Sequence, residues 1–166
     1  MGEVVRFPSV SLLVQDRLFE AVTQPASPVA DPPKRDTKSI GDISELRVIV
    51  ALAEVGYRVS VPFGENHRYD LIIDDGLRLS RVQVKTGRLR GGAIKFNCSS
   101  SHAHRSGGPR PYFGQIEYLA VYCPQTKKVY MLPEEELTAS EAHLRVSPPR
   151  NNMAKAIRWA ARFELA

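Results

Sequence analysis

The sequence predicts a mixed α/β domain: one amphipathic helix, then a series of short strands, then a late helix. Three observations predict it. A capped segment with helical apolar spacing runs from Ser39 to Gly56, alternating β-type runs follow between Gly, Pro and Asp turns, and an Asn-led helical run closes the chain. With 166 residues and 43% hydrophobic content, the chain has the size of one domain with a real core.

Residues 1–36 are expected to be a disordered N-terminal tail and Pro-rich linker. They end in "QPASPVADPPKRD", where Pro25, Pro28, Pro32 and Pro33 exclude a continuous helix or ladder, and only residues 8–23 have weak helical patterning. The folded domain is expected over 37–166. The apolar run "SVSLLV" is too short to cross a membrane and follows Glu3 rather than a basic cluster. Cys98 and Cys123 have no paired spacing, so the expectation is a soluble, cytoplasmic protein with no membrane partner.

Within the domain, Ser39 and Asp42 resemble a capping box, Ile43, Leu46, Ile49, Val50 and Ala53 recur at helical spacing, and Gly56 supplies the stop. Tyr57 to Val61 reads as the first strand, closed by Pro62 and Gly64. "YDLIID" and "SRVQVKT" form the next two around "DDG", and "AIKFNC" a fourth. "SSSHAHRSGGPRPYFG" is a long loop by composition. "YLAVYC" and "KVYML" are strands across "PQTKK", and "NNMAKAIRWAARFEL" is a helix capped near Asn151, with Ile157 and Ala161 inward and Trp159 and Phe163 as core anchors. The start of the sheet is mainly antiparallel.

The hairpin carries the chemistry. With Asp75 and Gly76 as the central turn residues, Asp74 faces Leu77 and Asp70 opposes Arg81. Strand alternation then puts Arg81, Gln83 and Lys85 on the face of Asp70, and Val82 and Val84 on the other with Leu71 and Ile73. A register error of one residue would destroy that grouping. Glu45 precedes Val48, Ile49 and Leu52 by three, four and seven positions, so its carboxylate runs along a flank that faces the sheet. An acid at a core boundary needs a partner, and a cation shared with Asp70 is one.

These residue types suit phosphodiester hydrolysis. A hard cation such as Mg²⁺, with Mn²⁺ as a substitute, neutralises phosphoryl charge and activates water, and Glu45 and Asp70 are suited to hold it. Gln83 adds only a neutral carbonyl oxygen. Lys85 supplies a compact ammonium for the attacking water or the transition state.

The net charge of +5 and sequence pI near 9.4 favour an anionic partner. From Gly76 to Ile116 there is no Asp or Glu, while Arg78, Arg81, Lys85, Arg88, Arg90, Lys95, Arg105 and Arg110 fall in that run. Arg81, Arg88, Arg90, Lys95, His102, His104, Arg105 and Arg110 are therefore the candidate DNA-binding residues. Cys98, His102 and His104 lack a fourth ligand at zinc spacing, and "GRLRGG" lacks the ending of a phosphate loop.

The pattern "E...YDLII...VQVKTG" resembles the PD-(D/E)XK nuclease superfamily. "GDISEL", "GYRVSVPFGENHRYDLII", "RVQVKTGRLRGGAIKF", "YLAVY", "VYMLP" and "NNMAKAIRWA" are similar to its group I intron homing endonuclease branch over roughly Ser39 to Leu165. The resemblance implies a restriction-endonuclease-like core, a mixed β-sheet flanked by helices. It places Glu45 as the helix acid, Asp70 as the motif Asp, Gln83 at the (D/E) position and Lys85 as the motif Lys, with Glu45, Asp70 and Gln83 as metal ligands. Arg68 and Tyr69 stand where a Pro often precedes the Asp, and Gln83 replaces an acid, as in the intron-encoded branch. The resemblance implies a Mg²⁺-dependent endonuclease that cuts double-stranded DNA at defined sequences, linked to a mobile intron. One site per chain cuts one strand, so a double-strand break requires a symmetric homodimer or tetramer. The alternatives are an inactive DNA-binding protein of the same fold, a junction resolvase or repair nuclease, and an RNA-directed protein.

Overall fold

A computed structural model of the chain describes residues 36–64, 67–100, 110–149 and 157–165. The expected tail and linker, the tip of the long loop with His102, His104 and Arg105, and the expected cap at Asn151 all lie outside the described residues.

Helix α1 (Thr37–Glu54) begins earlier than the capping-box reading. Asp36 is its N-cap, and the Asp36 side chain accepts a hydrogen bond from the Ser39 amide at 2.7 Å. The buried stripe is Ser44, Val48 and Leu52, not the expected set. Leu46 and Val50 are 62% and 51% exposed, and Ala53 is exposed too. Apolar residues occupy both sides of this helix, so spacing alone does not identify the inner one.

Among the described residues ten short strands accompany α1: β1 (Arg58–Ser60), β2 (Leu71–Asp74), β3 (Leu79–Thr86), β4 (Arg88–Arg90), β5 (Ala93–Asn97), β6 (Ser99–Ser100), β7 (Arg110–Pro111), β8 (Tyr118–Cys123), β9 (Lys128–Pro133) and β10 (Glu141–Arg145). The main sheet has the order β1-β2-β3-β8-β9, antiparallel except where β3 and β8 run parallel. A second sheet, β10-β5-β4, is antiparallel, and β6 pairs with β7. The parallel connection from β3 to β8 therefore carries β4 and β5 of the small sheet and the β6–β7 pair, with no helix among its described residues, and β10 joins the small sheet from beyond β9. Strand β10 and the strand at Arg88–Arg90 were not expected. "GRLRGG" is a hairpin arm whose tight turn uses Gly91 and Gly92, both at positive φ, as a two-residue connection of this kind requires.

Two apolar clusters hold the layers together. On one face of the main sheet, Val48 and Leu52 of α1 pack with Leu71, Ile73, Val82, Val84, Ala120, Tyr122 and Val129. On the other face Leu119, Val121, Tyr130 and Leu132 meet Ile94, Phe96 and Leu144 of the small sheet. Each Val, Leu, Ile or Phe among them, where fully buried, contributes about 1.5–3 kcal/mol.

The expected closing α-helix is absent from the described residues 157–165. They form extended backbone and one 3₁₀ turn, Ala160–Arg162. Their peptide groups bond to the sheets instead: Arg145 N donates to Arg158 O, Met131 N to Phe163 O and Leu165 N to Val129 O. Phe163 enters the core as expected, whereas Trp159 is 43% exposed and Ala161 is exposed. Cross-strand bonding overrides the helical periodicity here. No helix among the described residues is long and apolar enough to cross a membrane.

Candidate active site

The hairpin register differs from the expected one by two residues. Asp74 pairs with Leu79 and Ile72 with Arg81, so the connection is longer than a two-residue turn, and continuation of the ladder sets Asp70 across from Gln83. Asp74 and Asp75 serve the turn, accepting hydrogen bonds from the amides of Gly76, Leu77 and Arg78. Because side chains alternate with a period of two, a two-residue shift leaves Asp70, Gln83 and Lys85 on the same face.

Asp70 stands one residue before β2, where the ladder ends. Its backbone N–H donates to Val82 O at 2.9 Å, and its side-chain Oδ2 takes over the next position, accepting from the Val84 amide at 2.8 Å. Gln83, only 8% exposed, donates through Nε2 to the same Oδ2 at 2.5 Å. Oδ1 of Asp70 has no hydrogen-bond partner among the described residues. Burial raises the Asp70 pKa, opposed by the Val84 amide, the Lys85 charge and the Gln83 amide.

Glu45 reaches this point from α1. Its pKa is also raised, first by burial, then by the charges of Asp70 and Asp42. Two clefts of about 350 and 330 Å³ flank the pair, and both are lined by Glu45 and Asp70; Lys85 lines the first and His67 the second. Two half-buried carboxylates held close together, both with raised pKa and with an unused oxygen on Asp70, form a donor set that fits a hard divalent cation. Gln83 in this arrangement orients Asp70 through its amide nitrogen. Its role as a ligand would require the opposite end of the amide.

Lys85, on β3 beside Val121 of β8, sends its Nζ over the Tyr112 ring, 5.1 Å from the centroid. Arg81 is brought elsewhere: its guanidinium and backbone amide bind the Glu117 carboxylate, with Nη2 to Oε1 at 2.6 Å. This pair raises the Arg81 pKa and lowers that of Glu117. Arg88 and Arg90 project from β4, and Lys95 pairs with Arg88 on one side and His143 on the other, so basic residues share the outward face of the small sheet. Arg110 is exposed at the start of β7. Cys98 is buried in the apolar core. Among the described residues no group of three His, Cys, Asp or Glu converges.

Sequence reasoning missed Arg68. Its Nε donates to Gln115 Oε1, Nη1 to Ser100 Oγ at 2.6 Å, and Nη2 to the carbonyls of Arg110 and Pro111 at 3.1 and 2.9 Å, while its Cζ lies 4.7 Å from the Tyr112 ring centroid. Its only signal in the sequence is its place two residues before Asp70.

An antiparallel hairpin thus presents Asp70, Gln83 and Lys85 on one face, beside the helix acid Glu45 and on a mixed sheet. The family profile described as PD-(D/E)XK endonuclease matches residues 35–166, and the chain belongs to that family. Among solved structures, the bacterial homing endonuclease I-Ssp6803I is similar at 24% identity with a TM-score of 0.65, over 78% of this chain and 89% of that one. A Holliday junction resolvase, Hjc from Archaeoglobus fulgidus, matches at 18% identity with a TM-score of 0.41, over 64% of this chain and 84% of that one. No curated protein matches the sequence.

Proposed function

We propose that this chain is a divalent-metal-dependent endonuclease that cuts double-stranded DNA at defined sequences. The observation that carries the reading is the convergence of Glu45, Asp70 and Lys85 on one cleft, with Asp70 fixed by Val84 and Gln83. Glu45 and Asp70 would hold the cation, with Mg²⁺ the expected metal and Mn²⁺ a substitute. When bound, a divalent ion neutralises charge on the phosphoryl oxygens and lowers the pKa of water.

The protein's own groups do the rest. The Val84 amide and the Gln83 amide hold Asp70 in one orientation, so little rearrangement accompanies binding. Lys85 offers its ammonium to the attacking water or to the charge that develops on the phosphoryl group. Arg88, Arg90, Lys95 and Arg110 supply positive charge for the phosphate backbone, and His102, His104 and Arg105 belong to the same basic stretch of sequence. The engagement of Arg81 by Glu117 favours a structural role for it over direct DNA contact.

The likeness to a homing endonuclease supports sequence-specific cleavage linked to a mobile intron as the biological setting. A single Glu45–Asp70 site per chain would cut one strand per engagement, which implies a symmetric dimer or tetramer for double-strand cutting. The test is incubation of host genomic DNA and a randomised duplex pool with Mg²⁺, followed by sequencing of new ends. Ends sharing a sequence, absent with EDTA and in Asp70→Ala and Lys85→Ala, are the expected result. DNA binding without any new ends would favour the inactive DNA-binding reading, and ends confined to branched substrates would favour a resolvase.

A further inference from the structure

The geometry points to Tyr112 as a positioning residue for Lys85, with Arg68 bracing the ring; the catalytic consequence rests on the nuclease reading above, and the geometric claim stands without it. Lysine carries a flexible stem, so a useful ammonium needs something to hold it. Among the described residues Lys85 Nζ makes no hydrogen bond or ion pair, and its one specific contact is the Tyr112 ring at 5.1 Å from the centroid. That is inside the range at which a ring face attracts a cation.

The ring itself is fixed. Tyr112 is 3% exposed and belongs to the larger apolar cluster with Ile116, Leu119 and Val121. Arg68 lies over the same ring at 4.7 Å, and its guanidinium bonds link both strands of the β6–β7 pair to Gln115. One of those bonds goes to the Pro111 carbonyl, directly before Tyr112, so backbone and ring are held together. With four acceptors already engaged, Arg68 is a strut rather than a free phosphate ligand. The arrangement uses the ring face and not the phenol hydroxyl, so phenylalanine should serve in its place.

The test is NMR of the full chain with lysine labelled at Cε, the Lys85 signal being identified by its loss in Lys85→Arg. A methylene held over an aromatic face is displaced upfield. The expected result is a Lys85 signal upfield of every other lysine, retained in Tyr112→Phe and returned to the main cluster in Tyr112→Leu. A wild-type signal already inside the cluster would overturn the proposal, whether or not Tyr112→Leu folds. In parallel, the DNA pool should be cut by folded Tyr112→Leu about threefold to thirtyfold more slowly at unchanged DNA affinity, and by Tyr112→Phe at nearly the wild-type rate. Wild-type rates in folded Tyr112→Leu, with Lys85→Ala inactive, would overturn the positioning role. Absence of cutting by the wild type would instead defeat the nuclease reading, leaving the resonance to decide the geometry.

Discussion

Gln83 Nε2 donates to Asp70 Oδ2 at 2.5 Å, across two strands and in a setting where Gln83 is 8% exposed. A neutral donor at this position favours the ionised form of an acid whose pKa burial raises. Replacing the amide by a carboxylate removes the donor and adds a second charge in contact with the first. Gln83→Glu should therefore lower the melting temperature at pH 7 in EDTA, and Mn²⁺ should restore more stability to it than to the wild type. An unchanged melting temperature in EDTA would show that the contact does not govern Asp70.

Asp70 also gives a pH prediction. Its folded pKa is raised, so the native state favours the protonated acid; that stabilisation is present below the ordinary carboxylate range and lost as pH rises through the raised value. An Asn oxygen in the place of Oδ2 still accepts from Val84 and Gln83. Metal-free Asp70→Asn should thus melt higher than the wild type at pH 7, and the gap should close in acid. Calorimetric scans at several pH values check this.

Gly87 marks a packing limit between the sheets. A Cβ there would lie 2.6 Å from Ile94 Cγ2 and 2.8 Å from Val121 Cγ1, at the point where the chain leaves β3 for β4. Both neighbours are buried core atoms with little room to move. Gly87→Ala should cost about 1–3 kcal/mol of stability, read from the urea midpoint at unchanged slope.

The outward face of the small sheet should behave as a phosphate-binding surface. Neutral substitution of Arg88, Arg90 or Lys95 is expected to weaken DNA binding across sequences and to reduce the slope of log K against log salt by about one for each phosphate no longer neutralised. Arg81→Met, by contrast, should leave that slope unchanged, because Glu117 already engages the guanidinium.

The grouping of Asp70, Gln83 and Lys85 is legible in the sequence for a specific reason: the expected register is off by two residues, and a period-two strand returns the same face. Glu45 is legible through its spacing to Val48, Ile49 and Leu52. The inner face of α1 is only half legible, since Leu46 and Val50 are as apolar as Val48 and Leu52 but point outward. The segment around Trp159 reads as a helix because its spacing is helical, and only the distant strands β9 and β10 give its backbone another set of partners. Arg68 and Tyr112 are not legible as a pair. They are 44 positions apart, and nothing local in either segment indicates that the β6–β7 pair brings the ring under Lys85.

The most direct test of the shared carboxylate site needs no knowledge of the DNA target: calorimetric titration of Mn²⁺ into the wild type, Glu45→Gln and Asp70→Asn at pH 7. The prediction is a binding event in the wild type that is weakened by at least about tenfold, or roughly 1.4 kcal/mol, in both variants. Equal binding by all three proteins, or no binding by the wild type, would contradict a cation held between Glu45 and Asp70.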